Sequence, residues 1–310
     1  MNCQSDTWGI VVGVTSYKSR KRWAQMQAYL EARGVTYDSV QSDGEGSVER
    51  LTRMLCTQGY KTVVLVGGDG VLNDGLNGII SSMPLSDDFA FGVIPCGIGN
   101  DFASFWDIPS DNYQQAIDNI IERRTRLIDV GQCDYVDDDG RYFTRYFLNC
   151  VNIGLGARLV GLTNRWLRLI GSKRLSLIPV FIGHIFERKS FHIRMQTDSE
   201  TVEQQVMSVC IGNTTGYGQT PNAVPYNGML DMSVITAPSL LNLFRGFWLL
   251  GKGKFLNYSN VHPSRLHHVD ILDLGKASIS LDGRLLSEKP QIPVHITVQR
   301  DALCFIISKI

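Results

Sequence analysis

The sequence predicts an α/β domain with a parallel sheet, followed by a β-rich domain, and three observations carry that reading. Strand-like and helix-like patterns alternate through roughly the first 130 residues, as parallel βαβ units do. After Gly131 the alternation gives way to short apolar strand-like segments, several of them separated by turn residues. Finally, 310 residues with 44% apolar and 19% charged content fit two ordinary domains with real cores and exclude a disordered chain.

The elements follow in order. Gly9 to Val14 reads as a short buried strand, and Trp23 to Glu31 as a helix that Gly34 stops. Val35 to Val40 is a second strand. Ser47 is placed to cap a helix through Cys56, and Thr62 to Val66 is a third strand. Asn73 to Ile80 is helical, Phe89 to Ile94 a fourth strand, and Tyr113 to Arg124 a helix with apolar Ala116, Ile117, Ile120 and Ile121. The boundary is placed at 131, giving domains of 1–131 and 132–310. In the second, Arg145–Ile153, Phe191–Gln196, Gln205–Ile211, Leu230–Ile235, Val269–Leu272, Ala277–Leu281 and His295–Val298 read as strands. Helical insertions are expected near 155–187 and 239–251.

Lys plus Arg and Asp plus Glu balance at 30 each, which speaks against a dedicated nucleic-acid binder. Seven cysteines without a CxxC pair read as reduced thiols, not as a disulfide framework or zinc site. No signal peptide is expected, because no basic region precedes Trp8–Val14 and a basic run, Lys18 to Arg22, follows it. Nor is a transmembrane helix expected: the nearest apolar run, Leu175 to Phe186, contains Pro179 and His184.

The chemistry concentrates in two loops. Val63-Val64-Leu65-Val66-Gly67-Gly68-Asp69-Gly70-Val71-Leu72-Asn73-Asp74 is an apolar strand, then three glycines around an aspartate, then a helix. Glycines let backbone approach a ligand closely, and N–H groups at a helix start attract phosphate. Asp69 is placed to orient a metal or accept a proton; the plainer alternative is a tight turn with a capping aspartate. Ile94-Pro95-Cys96-Gly97-Ile98-Gly99-Asn100-Asp101-Phe102-Ala103 is a second such loop after a strand. Two loops at neighbouring strand ends would face one crevice, where open α/β sheets bind ligands.

Together these motifs resemble the catalytic domain of diacylglycerol kinases, shared with bacterial lipid kinases and sphingosine and ceramide kinases. That family carries GGDGT and P-x-G-T-x-N-D-F-A, and the resemblance continues along the chain. Arg124 to Gly131 is similar to its domain junction, Tyr146 to Gly156 to its first long strand in the second domain, Pro225 to Asp231 to its D-G-x-L-D loop, and Leu281-Asp282-Gly283-Arg284 to its D-G-E segment. The fold implied is an NAD kinase/diacylglycerol kinase-like nucleotide-binding domain plus a β-sandwich. The activity implied is phosphoryl transfer from ATP, with Mg²⁺, to diacylglycerol or a related lipid. The resemblance puts nucleotide at Gly67, Gly68, Asp69, Gly70, Val71 and Asn73, at Gly97, Ile98, Asn100 and Asp101, and more loosely at Ser42; metal falls at Asn227, Met229 and Asp231.

Several functional positions depart from the family. Val71 and Ile98 each replace a threonine, Asn227 replaces an aspartate, and Arg284 stands where the family has the glutamate regarded as proton acceptor. Arginine cannot accept a proton at physiological pH, so Asp282 or Asp69 is the expected base, or Arg284 pairs with a phosphate. A weakened or non-catalytic homologue, and a kinase of a soluble substrate like the NAD kinases, are the alternatives. The expected location is cytoplasmic, peripheral at the inner membrane face. A lipid substrate at a membrane surface is the expected partner, and a homodimer stays open. Two segments suit an anionic membrane. Residues 158–189 hold seven Lys or Arg and one acidic residue, and residues 232–269 hold no Asp or Glu beside Phe244, Phe247 and Trp248. His267-His268 is a weak candidate metal pair, and Cys96 a thiol whose pKa a helix start would lower.

Overall fold

The computed structural model describes residues 7–13, 17–44, 46–97, 99–157, 190–237, 240–287 and 291–309. The chain divides into two compact units, Met1–Ile128 with Ala302–Ile310, and Asp129–Asp301. The last nine residues, assigned from sequence to the second domain, thus belong to the first unit.

In the first unit β1 (Trp8–Val12), β2 (Tyr37–Gln41), β3 (Thr62–Gly67) and β4 (Ala90–Pro95) form a parallel sheet in the order β2-β1-β3-β4. Strands β1, β3 and β4 are buried throughout, which is why they read as unbroken apolar runs; edge strand β2 is partly exposed. The helices are α1 (Tyr17–Ala32), α2 (Ser47–Thr57), α3 (Asp69–Ile80), α4 (Asp101–Phe105) and α5 (Tyr113–Glu122). Ser47 is the first residue of α2 and not its cap; Gly46, at φ 72°, takes that position. Helix α3 begins at Asp69, four residues before the apolar pattern suggests. Its glycines let it pack tightly: a Cβ on Gly75 would lie 2.3 Å from Leu65 Cδ1 of β3, and one on Gly78 2.5 Å from the Glu49 carbonyl oxygen of α2.

The chain returns to this unit through the end of β16 (Gln291–Ile306), where Phe305 pairs in parallel with Phe91. The Phe305 ring centroid lies 4.9 Å from that of Phe91, 5.1 Å from Phe102 and 5.6 Å from Trp106. Ile307 N–H donates to the Arg124 carbonyl at 2.8 Å.

The second unit is an antiparallel sandwich. One sheet contains β16-β13-β8-β9, with β5 (Thr125–Val136) pairing both β16 and β6 (Tyr142–Phe147); here β8 is Phe191–Thr197, β9 Thr201–Val206 and β13 His268–Asp273. The other runs β12-β11-β10-β7-β14-β15, with β7 Cys150–Gly154, β10 Ser208–Gly212, β11 Leu230–Ile235, β12 Val261–Leu266, β14 Ile279–Leu281 and β15 Arg284–Ser287. Their inner faces share a core that includes Phe147, Ile193, Met195, Ile271 and Ile296 from the first sheet and Val151, Val209, Ile211, Met232 and Ile279 from the second. Two single strands expected from sequence are each two strands. Arg145–Ile153 divides into β6 and β7 at Leu148–Asn149, and Gln205–Ile211 into β9 and β10 at Met207, because at both points the chain leaves one sheet for the other. Helix α6 (Leu240–Gly251) occupies the expected insertion. The other insertion falls on residues 158–189, outside the described residues, as do its basic residues Arg168, Lys173 and Arg174.

Phe305→Ala removes the ring on which Phe91, Phe102 and Trp106 converge and should lower the unfolding free energy by about 3–5 kcal/mol. Urea denaturation followed by tryptophan emission measures the loss.

Candidate active site

The registers Val12↔Gln41, Val12↔Val66 and Gly67↔Pro95 bring the C-terminal ends of all four parallel strands to one edge. Gly13, Ser42, the Gly67–Val71 loop and the Cys96–Asp101 loop therefore share that edge. Between β1 and β3 the strand order reverses, which is where such sheets bind ligands.

The two glycine loops touch backbone to backbone. A Cβ on Gly97 would lie 2.4 Å from Gly68 Cα, and one on Gly68 would lie 3.0 Å from both Gly97 Cα and the Gly99 carbonyl oxygen. Asp69 fastens this contact: its Oδ2 accepts the Asp101 N–H at 3.1 Å and its Oδ1 the Phe102 N–H at 3.3 Å. The capping alternative for Asp69 thus matches the geometry, although the helix start it serves belongs to the other loop. Asn100 closes the second loop on itself, accepting the Gly97 N–H at 3.2 Å and donating to the Gly97 carbonyl at 2.9 Å. The N-cap of α3 is Gly68 in an extended conformation, a residue with no side chain of its own to cap the helix. Asn73 lies buried one turn into that helix.

Backbone glycines and a helix start at the switch point suit a phosphate group. Val71 lines that cradle with methyl groups where the family's threonine would offer a hydroxyl. Its isopropyl group covers Gly67, where an added Cβ would come within 2.5 Å, and also Gly13, within 2.4 Å. Ser42 is turned away to its own loop, with Oγ 2.7 Å from Ser47 Oγ and donating to the Gly44 carbonyl at 3.3 Å. Ile98 lies outside the described residues. Burial raises the pKa of the Cys96 thiol, opposed by the charge of Arg22, so the lowering expected from sequence is not what this setting produces.

Asp282 sits in the second unit in a different role from the one expected. Asp282 and Gly283 have φ of 44° and 84° and form the two-residue turn between β14 and β15, with Leu281 opposite Arg284. The Asp282 carboxylate is buried; Oδ2 accepts the Leu148 N–H at 2.9 Å, and Oδ1 accepts the N–H groups of Asn149 and Cys150, each at 2.9 Å. It satisfies the backbone where the chain crosses between sheets, so it is a clamp and is poorly placed to act as a base. Arg284 begins β15 with its side chain exposed.

The residues expected to hold metal do not fit one. Asn227 Oδ1 accepts the Met229 N–H at 3.0 Å. Asp231 is paired with Arg265, whose Nε lies 2.7 Å from Oδ1. The loop is instead anchored by Asp129, which sequence reading passed over as part of the junction. Its buried carboxylate accepts the Gly228 N–H at 2.6 Å and the Asp301 N–H at 3.0 Å. Gly228, at φ 72°, leaves room for Arg300, whose Nε donates to the Gly228 carbonyl at 3.3 Å. His267 and His268 both face Asp198, which accepts their backbone N–H groups at 2.6 and 3.0 Å, so the weak metal reading of the pair gains no support. Gly216–Gly218 is a short 3₁₀ segment in which Tyr217 takes φ 57°.

A family model described as the diacylglycerol kinase catalytic domain matches residues 13–133, and one described as the YegS C-terminal NAD kinase beta sandwich-like domain matches residues 149–307. The diacylglycerol kinase of Bacillus subtilis is 23% identical over 277 residues, covering 85% of this chain and 84% of its own. That of Mycobacterium tuberculosis is 25% identical over 249 residues, covering 79% and 77%. Among solved structures, a diacylglycerol kinase from Bacillus anthracis superposes with a TM-score of 0.67 at 15% identity, covering 98% and 97%. Yeast NADH kinase complexed with NADH superposes with a TM-score of 0.57 at 10% identity, covering 99% and 85%.

Two outcomes follow from this geometry. Asp282→Ala strands three buried N–H groups and places alanine at a positive φ. It should cost about 3 kcal/mol or more of stability, while Asp282→Asn, which tolerates the turn and keeps one acceptor oxygen, costs less; guanidinium melts rank the two. For the 225–231 loop, wild-type Tm should not respond to Mg²⁺ or EDTA. The double variant Asn227→Asp/Arg265→Met, with two unpaired carboxylates, should acquire a saturable rise in Tm with Mg²⁺.

Proposed function

The chain belongs to the diacylglycerol kinase catalytic-domain family, and on that premise we propose that it transfers the γ-phosphate of ATP to a hydroxyl of diacylglycerol or a related lipid. The observation that carries the reading is the pair of glycine loops locked together by Asp69 at the C-terminal edge of a parallel sheet, the first of them beside the switch point. In that transfer the lipid hydroxyl oxygen bonds to the γ-phosphorus, the bond from phosphorus to the bridging oxygen breaks, and ADP leaves. Mg²⁺ carried by the nucleotide would neutralise charge on the phosphate oxygens; no step is assigned to the 225–231 loop.

The chain's own part is positioning. The glycine backbone of the Gly67–Gly70 loop would lie against the phosphates, and Asp69 holds that loop at a fixed spacing from the one that precedes α4. Asp69 and Asp282 both accept backbone N–H groups, so neither is assigned as general base. Phosphoryl transfer through a loose transition state depends mainly on positioning and charge stabilisation, and the hydroxyl proton would pass to solvent. Membrane placement at the cytoplasmic face belongs to the same proposal; the described residues contain no helix long and apolar enough to cross a membrane.

A second reading, a homologue that binds nucleotide without turnover, is favoured by Arg284, which stands where the family has its proton-accepting glutamate, and by Val71, which lacks the hydroxyl of the family's threonine. Transfer of labelled γ-phosphate from ATP to a total lipid extract decides between them, run with Mg²⁺, with Mn²⁺ and without metal. A labelled lipid, lost in Gly97→Ala, is expected. Val71→Thr, isosteric but bearing a hydroxyl, should lower the KM for ATP about 10-fold if that hydroxyl reaches a phosphate. Thermal stabilisation by ATP without any labelled lipid would select the second reading.

A further inference from the structure

We propose that α6 docks the protein onto an anionic lipid bilayer; the proposal deepens the lipid kinase reading and rests on it. One face of this helix is fixed inward. Leu249 packs with Ile235, Phe255, Tyr258 and Val261, and Leu250 lies against the same cluster. Gly246 lets the helix sit on Tyr258, since a Cβ there would lie 2.7 Å from the Tyr258 ring. With 3.6 residues per turn, Phe244, Arg245, Trp248 and Lys252 then fall together on the opposite face.

That face has the composition of an interfacial helix. Trp248 is 60% exposed and Phe244 54% exposed, the pair one helical turn apart. Arg245, Lys252 and Lys254 are exposed around them. Lys252 Nζ lies 5.0 Å from the Trp248 ring centroid, so a cation and an aromatic meet at one point of the surface. No aspartate or glutamate occurs anywhere from residue 232 to residue 269, so the face is not neutralised along its own segment. Aromatics that enter the headgroup region, ringed by cations, match a surface of anionic lipid better than the mixed-charge surface of a soluble partner. A second copy of this chain would bring the same cations against themselves.

The test is sedimentation of the full chain with vesicles of equal parts phosphatidylcholine and phosphatidylglycerol, beside vesicles of phosphatidylcholine alone. Wild type should partition onto the anionic vesicles and only weakly onto the neutral ones. Arg245→Gln/Lys252→Gln should weaken partitioning about 30-fold, at about 1 kcal/mol per basic residue. Phe244→Ser/Trp248→Ser should weaken it at least about 10-fold. Quenching of emission by brominated lipid should fall in Trp248→Phe. All three variants keep the inward face, so circular dichroism should be unchanged. Undiminished binding by the variants, or equal binding to both vesicles, overturns the proposal. So does a dimer in sedimentation equilibrium that the serine variant abolishes without vesicle binding. Phosphoryl transfer to a short-chain diacylglycerol dissolved as monomers separates the two readings. Its absence with vesicle binding intact defeats the kinase reading alone, and its presence without vesicle binding defeats only the docking of α6.

Discussion

Both carboxylate oxygens of Asp69 accept N–H groups from a loop 32 and 33 residues further along the chain. The first unit's site depends on this. A carboxylate can reach across only because the two loops meet with no side chain between them: Gly68 lies against Gly97, and Gly99 lies under Asp69, where an added Cβ would be 2.9 Å from Oδ2. The glycines commonly read as phosphate cradles thus have a prior duty, which is to let two backbones come within contact distance. A ligand held by both loops would then meet a rigid pair. That suits a reaction whose acceleration comes mainly from fixed positioning.

The second unit repeats the device. Asp282 accepts three N–H groups where the chain crosses between sheets, Asp129 holds Gly228 and Asp301, and Asp198 holds His267 and His268. Crossings and turns leave backbone donors without strand partners, and an ionised carboxylate is the acceptor that satisfies several at once. An aspartate in a glycine-containing segment therefore has two explanations, chemistry or backbone repair. Here Asp282 falls on the second, and the hairpin turn it starts with Gly283 explains the Asp-Gly pair without catalysis.

How much of this was legible depended on whether the signal was local. Strands β1, β3 and β4 announced themselves because burial on both faces forces continuous apolar runs. The strand–loop–helix order that locates the site was equally plain. The sandwich corners at Leu148–Asn149 and Met207 were not, since an apolar run looks the same whether its two halves join one sheet or two. Strand β12 was hidden by Pro263, which its place at the sheet edge tolerates. The start of α3 was hidden by Gly70, Gly75 and Gly78, whose poor helix propensity is outweighed by the close packing they permit. Nothing local marks Ala302–Ile310 as belonging with the first unit; that follows only from Phe305 filling a hole among aromatics contributed by β4, α4 and Trp106.

The departures from the family form a pattern once the contacts are considered together. At the 225–231 loop an aspartate has become Asn227, and the remaining Asp231 is neutralised by Arg265, so a guanidinium supplies the positive charge that a cation would otherwise bring. Neutralising one carboxylate and removing another keeps the loop's charge balanced, while Asp129 and Arg300 fix its backbone. At the switch point, Val71 exchanges a hydroxyl for a methyl of nearly the same volume and keeps the packing over Gly13 and Gly67. The backbone contacts around both places stand, so these substitutions change the polar groups that the two loops present and leave their packing in place.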